Sequence, residues 1–318
     1  MTCPLVAVFA LAAALPWAQA TPDPPRVQAL RIVLLSTMLA DRGIGEWGFA
    51  ALVEVDGRRL LFDTGGRPET VLSNAREMGI DLSDVTDVVL SHNHSDHTTG
   101  LLPMRRALAA KNPAALSRVH VGRGIFWSRP SAEGEENHVL KVRGELEAAG
   151  VRFVEHEGPA EVLPGVWLTG PVPRIHPERN WSTRGRVRTP EGLVEDTIPE
   201  DQSLVFDTAR GLVLLSGCGH AGIANTVEYA RKVVRPAALH AAIGGFHLFP
   251  LDDQRLDWTA DRLRDAGIEN LVGAHCTGIE AVYRLRARLG LSRERAVVGA
   301  VGASFELGKG IDPLDLAR

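Results

Sequence analysis

The chain has 318 residues, 45% hydrophobic and 23% charged, with 35 Lys and Arg against 39 Asp and Glu for a formal charge of −4. These proportions exclude a wholly disordered, collagenous or coiled-coil chain. With no dense Lys/Arg run, they also argue against nucleic acid as the main partner.

In chain order, the first signal is an uncharged apolar run over residues 5–15, too short for a bilayer span of ~20 residues. Pro16 breaks it, and Ala18-Gln19-Ala20 follows as a small-residue cleavage site. The expectation is a signal peptide over 1–20, removed to leave Thr21, and a periplasmic or secreted mature protein. Residues 21–318 then form one domain with an inserted loop near 171–201. No later segment carries 18 uninterrupted apolar residues, so no membrane span is expected after cleavage.

Residues 28–35 predict a strand, and 51–55 with 59–62, joined at Asp56-Gly57, predict a hairpin. Pro68 suits a first helical turn, and Val71, Leu72, Ala75 and Met78 recur at helical spacing until Gly79. Val88-Val89-Leu90 is a short buried strand leading into Ser91-His92-Asn93-His94. A helix over 101–110 and a strand over 119–121 follow, while 122–144 shows no clear period. The second half repeats the order, with a hairpin from 203–206 and 212–215. Helices over 223–234, 252–265 and 279–289 then alternate with strands over 239–243 and 270–274. This repetition predicts an α/β fold of two sheets packed face to face with helices outside.

Between the halves, 171–201 is rich in Pro and charge, including Arg174, Arg179, Arg184, Arg186 and Arg188. Acidic neighbours dilute the positive charge, so a solvated loop is the first reading. A lid whose arginines meet an anionic small-molecule substrate is the sharper one. Cys218 and Cys276 both stand beside histidines in Gly-rich strings. They read as buried thiols in the walls of a site, with an oxidised pair as the alternative.

Six of the eleven histidines fall in short strings, the densest being His92-Asn93-His94-Ser95-Asp96-His97. Three imidazoles and a carboxylate just after a buried strand would be costly to bury without partners. They are also the ligands that borderline divalent metals such as zinc prefer. Four ligands so close in sequence are shared more easily between two ions than wrapped around one. For His120, His138, His156, His176 and His240 an ordinary structural role is expected.

The string H-x-H-x-D-H after a hydrophobic strand resembles the signature of the metallo-β-lactamase fold superfamily, and Phe62-Asp63-Thr64-Gly65 is similar to its D-T-G element. Further strings are Asp201-Gln202-Ser203-Leu204, Ser216-Gly217-Cys218-Gly219-His220, Gly244-Gly245-Phe246-His247-Leu248 and His275-Cys276-Thr277-Gly278. Together they resemble the branch of 7,8-dihydropterin-6-yl-methyl-4-(β-D-ribofuranosyl)aminobenzene 5′-phosphate synthases. The resemblance implies a four-layer αββα fold, two β-sheets sandwiched between helices, and one or two divalent ions, Zn2+ first. It implies His92, His94 and His220 on one ion, Asp96, His97 and His275 on the other, and Asp63 orienting the histidines. Asp96 and His247 are the catalytic candidates. Most dinuclear members carry a bridging Asp where this chain reads Leu215-Ser216-Gly217-Cys218, and Asp201 is the first substitute considered. The expected chemistry is metal-dependent hydrolysis of an ester, phosphoester or lactam-type substrate by activated water. The alternatives are the branch's C–N bond-forming transfer and a non-catalytic metal-binding protein.

Overall fold

The computed structural model describes residue 1 and residues 26–316; the apolar run and cleavage site expected over 1–20 therefore lie outside the described residues, apart from Met1. Alternation of side chains along each strand decides the layering. In Leu30–Ser36, Ile32 and Leu34 face a second sheet, while Val33 and Leu35 face helices. Leu212-Val213-Leu214-Leu215 divides the same way, Val213 and Leu215 inward and Leu212 and Leu214 toward the helices of its own side. Strands buried on both faces read as continuous apolar runs, which is why these two hairpins are visible in the sequence.

The first sheet runs, edge to edge, Gly310–Asp312, Ser304–Glu306, Leu30–Ser36, Ala50–Val55, Arg58–Phe62, Asp87–Val89, Arg118–Gly122 and Arg152–His156. Its first five strands pair antiparallel, and from Arg58–Phe62 onward the pairing is parallel. The second sheet runs Ala296–Val298, Asn270–Gly273, Leu239–Gly244, Gly211–Ser216, Ser203–Thr208, Val166–Leu168 and Ala160–Leu163. The first four of these are parallel and the rest antiparallel. Each sheet thus joins an antiparallel part, of five strands in the first and four in the second, to three further parallel strands.

Phe49, Phe62, Val89, Phe206, Leu215 and Ile243 interlock between the sheets. Helices Thr70–Glu77, Leu101–Ala109 and His138–Ala148 cover the outer face of the first sheet, and Ile223–Val233, Asp253–Asp265 and Ile279–Leu289 that of the second. The result is the four-layer αββα arrangement expected from the sequence. Among the described residues, no helix is long and apolar enough to cross a membrane.

The structure adds elements where periodicity was silent. Residues 122–144 hold a hairpin, Pro130–Ser131 with Gly134–Glu135, and the start of His138–Ala148, whose Asn137 side chain accepts from the Leu140 N–H as an N-cap. The edge strands Arg152–His156 and Ala160–Leu163 are mostly half-buried and so lack a clean apolar alternation. The 171–201 segment contains the hairpin Arg186–Thr189 with Gly192–Glu195.

Phe206 is fully buried between the sheets. Phe206→Ala is expected to cost about 3–5 kcal/mol. The check is the urea midpoint of the purified variant; an unchanged midpoint would show that the inter-sheet layer is not the core.

Candidate metal centre

The site stands at the carboxyl ends of the parallel strands of both sheets, where open α/β sheets place ligands. Asp63 follows Arg58–Phe62, and the His92–His97 string follows Asp87–Val89. From the second sheet, Cys218 and His220 follow Gly211–Ser216, His247 follows Leu239–Gly244, and His275 follows Asn270–Gly273. Close approach here, between the sheets at Gly217 and between neighbouring strand ends at Gly245, requires glycine. A Cβ on Gly217 would collide with Ser91 Oγ and Asp63 Oδ2, and one on Gly245 would collide with the Gly217 carbonyl.

Asp63 is fully buried, with a left-handed backbone at φ 57°. Its Oδ1 accepts from the Ser91 N–H at 2.7 Å, and its Oδ2 accepts from the Ser91 hydroxyl and from His97 Nδ1, each at 2.7 Å. Ser91 Oγ in turn meets His92 Nδ1 at 2.8 Å. A hydroxyl that donates to Asp63 accepts from His92, so both rings turn a protonated Nδ1 to these partners and Nε2 toward the cleft. His220 is set the same way by the Asn180 carbonyl, which accepts from its Nδ1.

Two sets of candidate ligands emerge, His92 with His94 and His220, and Asp96 with His97 and His275, the ligand atoms of each set within 4.8 Å of one another. Ring centroids in the first set stand 4.5–4.9 Å apart. In the second, Asp96 Oδ2 is 3.9 Å from His97 Nε2 and 3.3 Å from His275 Nε2. His92 Nε2, His220 Nε2 and both His275 ring nitrogens are buried without a hydrogen-bond partner. Buried polar atoms left unpaired cost about 1–3 kcal/mol each. Their convergence, in a donor set of imidazole and carboxylate, fits a divalent ion. His247, at φ 48°, joins Cys218 and His220 in a further set, its ring 4.7 Å from that of His220.

The electrostatics suit the same reading. Burial, followed by mutual repulsion among the rings, holds His92 and His220 well below the ordinary imidazole range, and burial lowers His94 to about 4. These imidazoles are therefore neutral, as metal ligation demands. His97 differs: burial disfavours its charge, but Asp63 and Asp96 beside it prevail and raise it to about 9, so a cation at its Nε2 would have to displace a proton. Although burial opposes ionisation of Asp96, His97 and His275 hold its carboxyl well below the usual carboxylate range.

A cleft of about 630 Å³ opens over His94 and Asp96, walled by Arg129, Trp181, Arg184 and Arg186. On the other side of His275, Trp47 packs against its ring at 4.9 Å and against Phe249 at 5.7 Å, and both aromatics are half exposed. The inserted segment is solvated over much of its length, with Arg179, Arg184, Arg186 and Arg188 exposed, but it is anchored by buried charge. Arg129 Nη2 donates to Glu200 Oε2 at 2.6 Å and its Nε to Asp196 Oδ2 at 3.0 Å, all three residues buried. Glu200 Oε1 also accepts from Asn93 Nδ2 at 2.6 Å, tying the insertion to the histidine string itself.

Two expectations need correction. Arg174 does not line the cleft: its guanidinium donates to the Thr197 and Ile198 carbonyls and lies over Trp181, bracing the insertion from within. Asp201 accepts from the Ala221 N–H and belongs to none of the candidate ligand sets among the described residues. Burial raises it to about 7. Sequence reasoning missed Asn93, Arg129, Asn180 and Glu200, of which only Asn93, inside the histidine string, gave a local signal. The five histidines given ordinary roles stand outside every candidate set among the described residues; His120 and His156 pair with each other at 3.0 Å.

The fold and site together define an αββα sandwich with a candidate metal centre where the two sheets meet. The chain belongs to the metallo-beta-lactamase superfamily, whose family model matches residues 48–231. It is 29% identical over 269 residues to the 7,8-dihydropterin-6-methyl-4-(beta-D-ribofuranosyl)-aminobenzene-5′-phosphate synthase of Methanocaldococcus jannaschii, covering 80% of this chain and 90% of that protein. Among solved structures it is similar to Tm1679, a metal-dependent hydrolase of the beta-lactamase superfamily, with a TM-score of 0.69 and 26% identity over 91% of this chain and 100% of that one. A diphosphatase of the PhnP family shares the fold at a TM-score of 0.51 and 15% identity, over 88% of this chain and 98% of that one.

Asp63→Asn places an amide where a carboxylate accepted. Facing His97 Nδ1, the amide N–H moves the imidazole proton to Nε2, the wrong tautomer for a ligand. Metal affinity is expected to fall about 10 to 100-fold with the fold kept, read by competition against a chromophoric chelator. Unchanged affinity would remove Asp63 from its orienting role.

Proposed function

We propose that the chain is a metal-dependent hydrolase acting on an ester, phosphoester or lactam-type bond of an anionic small molecule. The observation that carries this reading is the convergence of buried, unpaired imidazole nitrogens of His92, His220 and His275 beside His94, Asp96 and His97. His92, His94 and His220 would hold one divalent ion and Asp96, His97 and His275 a second, with zinc suited to this donor set. Such ions, when bound, act as Lewis acids toward acyl or phosphoryl oxygen and make water a stronger nucleophile.

The chain's own residues do the rest. Asp63 and Ser91 fix the tautomers of His97 and His92. Asp96, held ionised by its histidine neighbours, would ligate an ion and help orient the attacking group. His247 stands beside His220 with an unpaired Nδ1, where it serves the leaving group as proton donor. Arg184 and Arg186 give the cleft wall the charge that draws in an anion.

The likeness to Tm1679, named as a hydrolase, supports this reading. A second reading, formation of a C–N bond between two organic substrates, is favoured by the relative named as a synthase. Turnover in oxygen-18 water separates them. A hydrolase places one labelled oxygen in its product; a two-substrate transferase yields an unlabelled one, and that outcome would refute hydrolysis. His94→Ala is expected to abolish turnover in either case.

We also propose that the protein works in the periplasm or outside the cell, on the strength of the apolar run at 5–15 and Ala18-Gln19-Ala20. N-terminal sequencing of the exported protein should begin at Thr21. An intact Met1 terminus on cytosolic protein would contradict export.

A further inference from the structure

The strand Gly211–Ser216 ends not in a carboxylate but in a thiol that reaches the middle of the site. Cys218 Sγ lies 3.2 Å from His97 Nε2 and 3.2 Å from Cys276 Sγ. It belongs to three candidate ligand sets, with His92 and His97, with His220 and His247, and with His275 and Cys276. The first of these spans both groups described above, since His92 pairs with His94 and His220 while His97 pairs with Asp96 and His275. An independent observation points to a ligand at the same place. His92 Nε2, His220 Nε2 and both His275 nitrogens are fully buried and unpaired, and one S–H, a weak donor with a single proton, cannot satisfy them.

We propose that Cys218, as a thiolate, is the ligand shared between the two ion sites, and that Cys276 is its hydrogen-bonding neighbour. This rests on the metal-dependent reading above and adds to it a specific anionic donor. Binding exchanges the Cys218 S–H proton, released to solvent, for a sulfur–metal bond, so each thiolate formed frees one proton. A buried thiolate needs a cation beside it, and the ion supplies that charge. Cys276 is held in place by the His247 N–H, which donates to its Sγ at 3.3 Å. A sulfur donor makes the centre selective for zinc and similar borderline ions over magnesium and calcium, which favour oxygen.

Cobalt(II) titration of the full chain after chelator treatment tests the assignment by spectrum rather than by activity. The wild type is expected to show ligand-field bands together with a near-ultraviolet thiolate-to-cobalt charge-transfer band. Cys218→Ser should lose the charge-transfer band and bind cobalt about 10 to 100-fold more weakly. Cys276→Ser should keep the band, and Cys218→Asp should restore affinity without it. Ligand-field bands with no charge transfer in the wild type, or charge transfer that survives Cys218→Ser and vanishes in Cys276→Ser, would overturn the thiolate assignment and leave the metal reading standing. Failure of the wild type to bind cobalt at all would overturn the metal reading and this assignment with it. The wild-type spectrum decides the matter even if the serine variant does not fold.

Discussion

A carboxylate with no access to water must be met by donors on every side, and Asp63 is that carboxylate here. It sits at a left-handed φ that costs a non-glycine residue about 1–3 kcal/mol. Three short hydrogen bonds from Ser91 and His97 offset that strain. Through them one side chain fixes the direction of two imidazoles. Its other side has room only for Gly217, so the second sheet can approach closely enough to bring Cys218 and His220 to the same point. Neither half of the sandwich builds the site alone. The first sheet supplies His92, His94, Asp96 and His97, and the second supplies Cys218, His220, His247 and His275.

That division explains what the sequence reveals and what it conceals. The string His92–His97 is legible because its residues lie within one loop, and no apolar packing accounts for three imidazoles and a carboxylate there. The central hairpins are legible because strands buried on both faces must be apolar throughout, as Gly211–Ser216 is. The place of Cys218 was only half visible. Its Gly-rich string marked it as lining a site, but its contact with His97 depends on the packing of one sheet against the other across 121 positions.

The charged insertion was the least legible part for a related reason. Local composition says that a segment is polar; it does not say which of its charges will be buried. Arg129 and Glu200 meet across 71 positions and Asn93 and Glu200 across 107, and nothing near any of the three announces its partner. Arg174 shows the converse error. Its charge suggested a ligand for substrate, whereas backbone carbonyls of its own segment claim the guanidinium.

The Arg129–Asp196–Glu200 cluster also governs how molecules reach the cleft. Swinging the insertion outward would separate a buried guanidinium from two carboxylates and bring all three into water. Traffic through the mouth in this arrangement depends on its dimensions, so a compound too bulky to pass would need these ion pairs to part. Discrimination by size is thereby a property of the latch as much as of the residues around the bond that breaks.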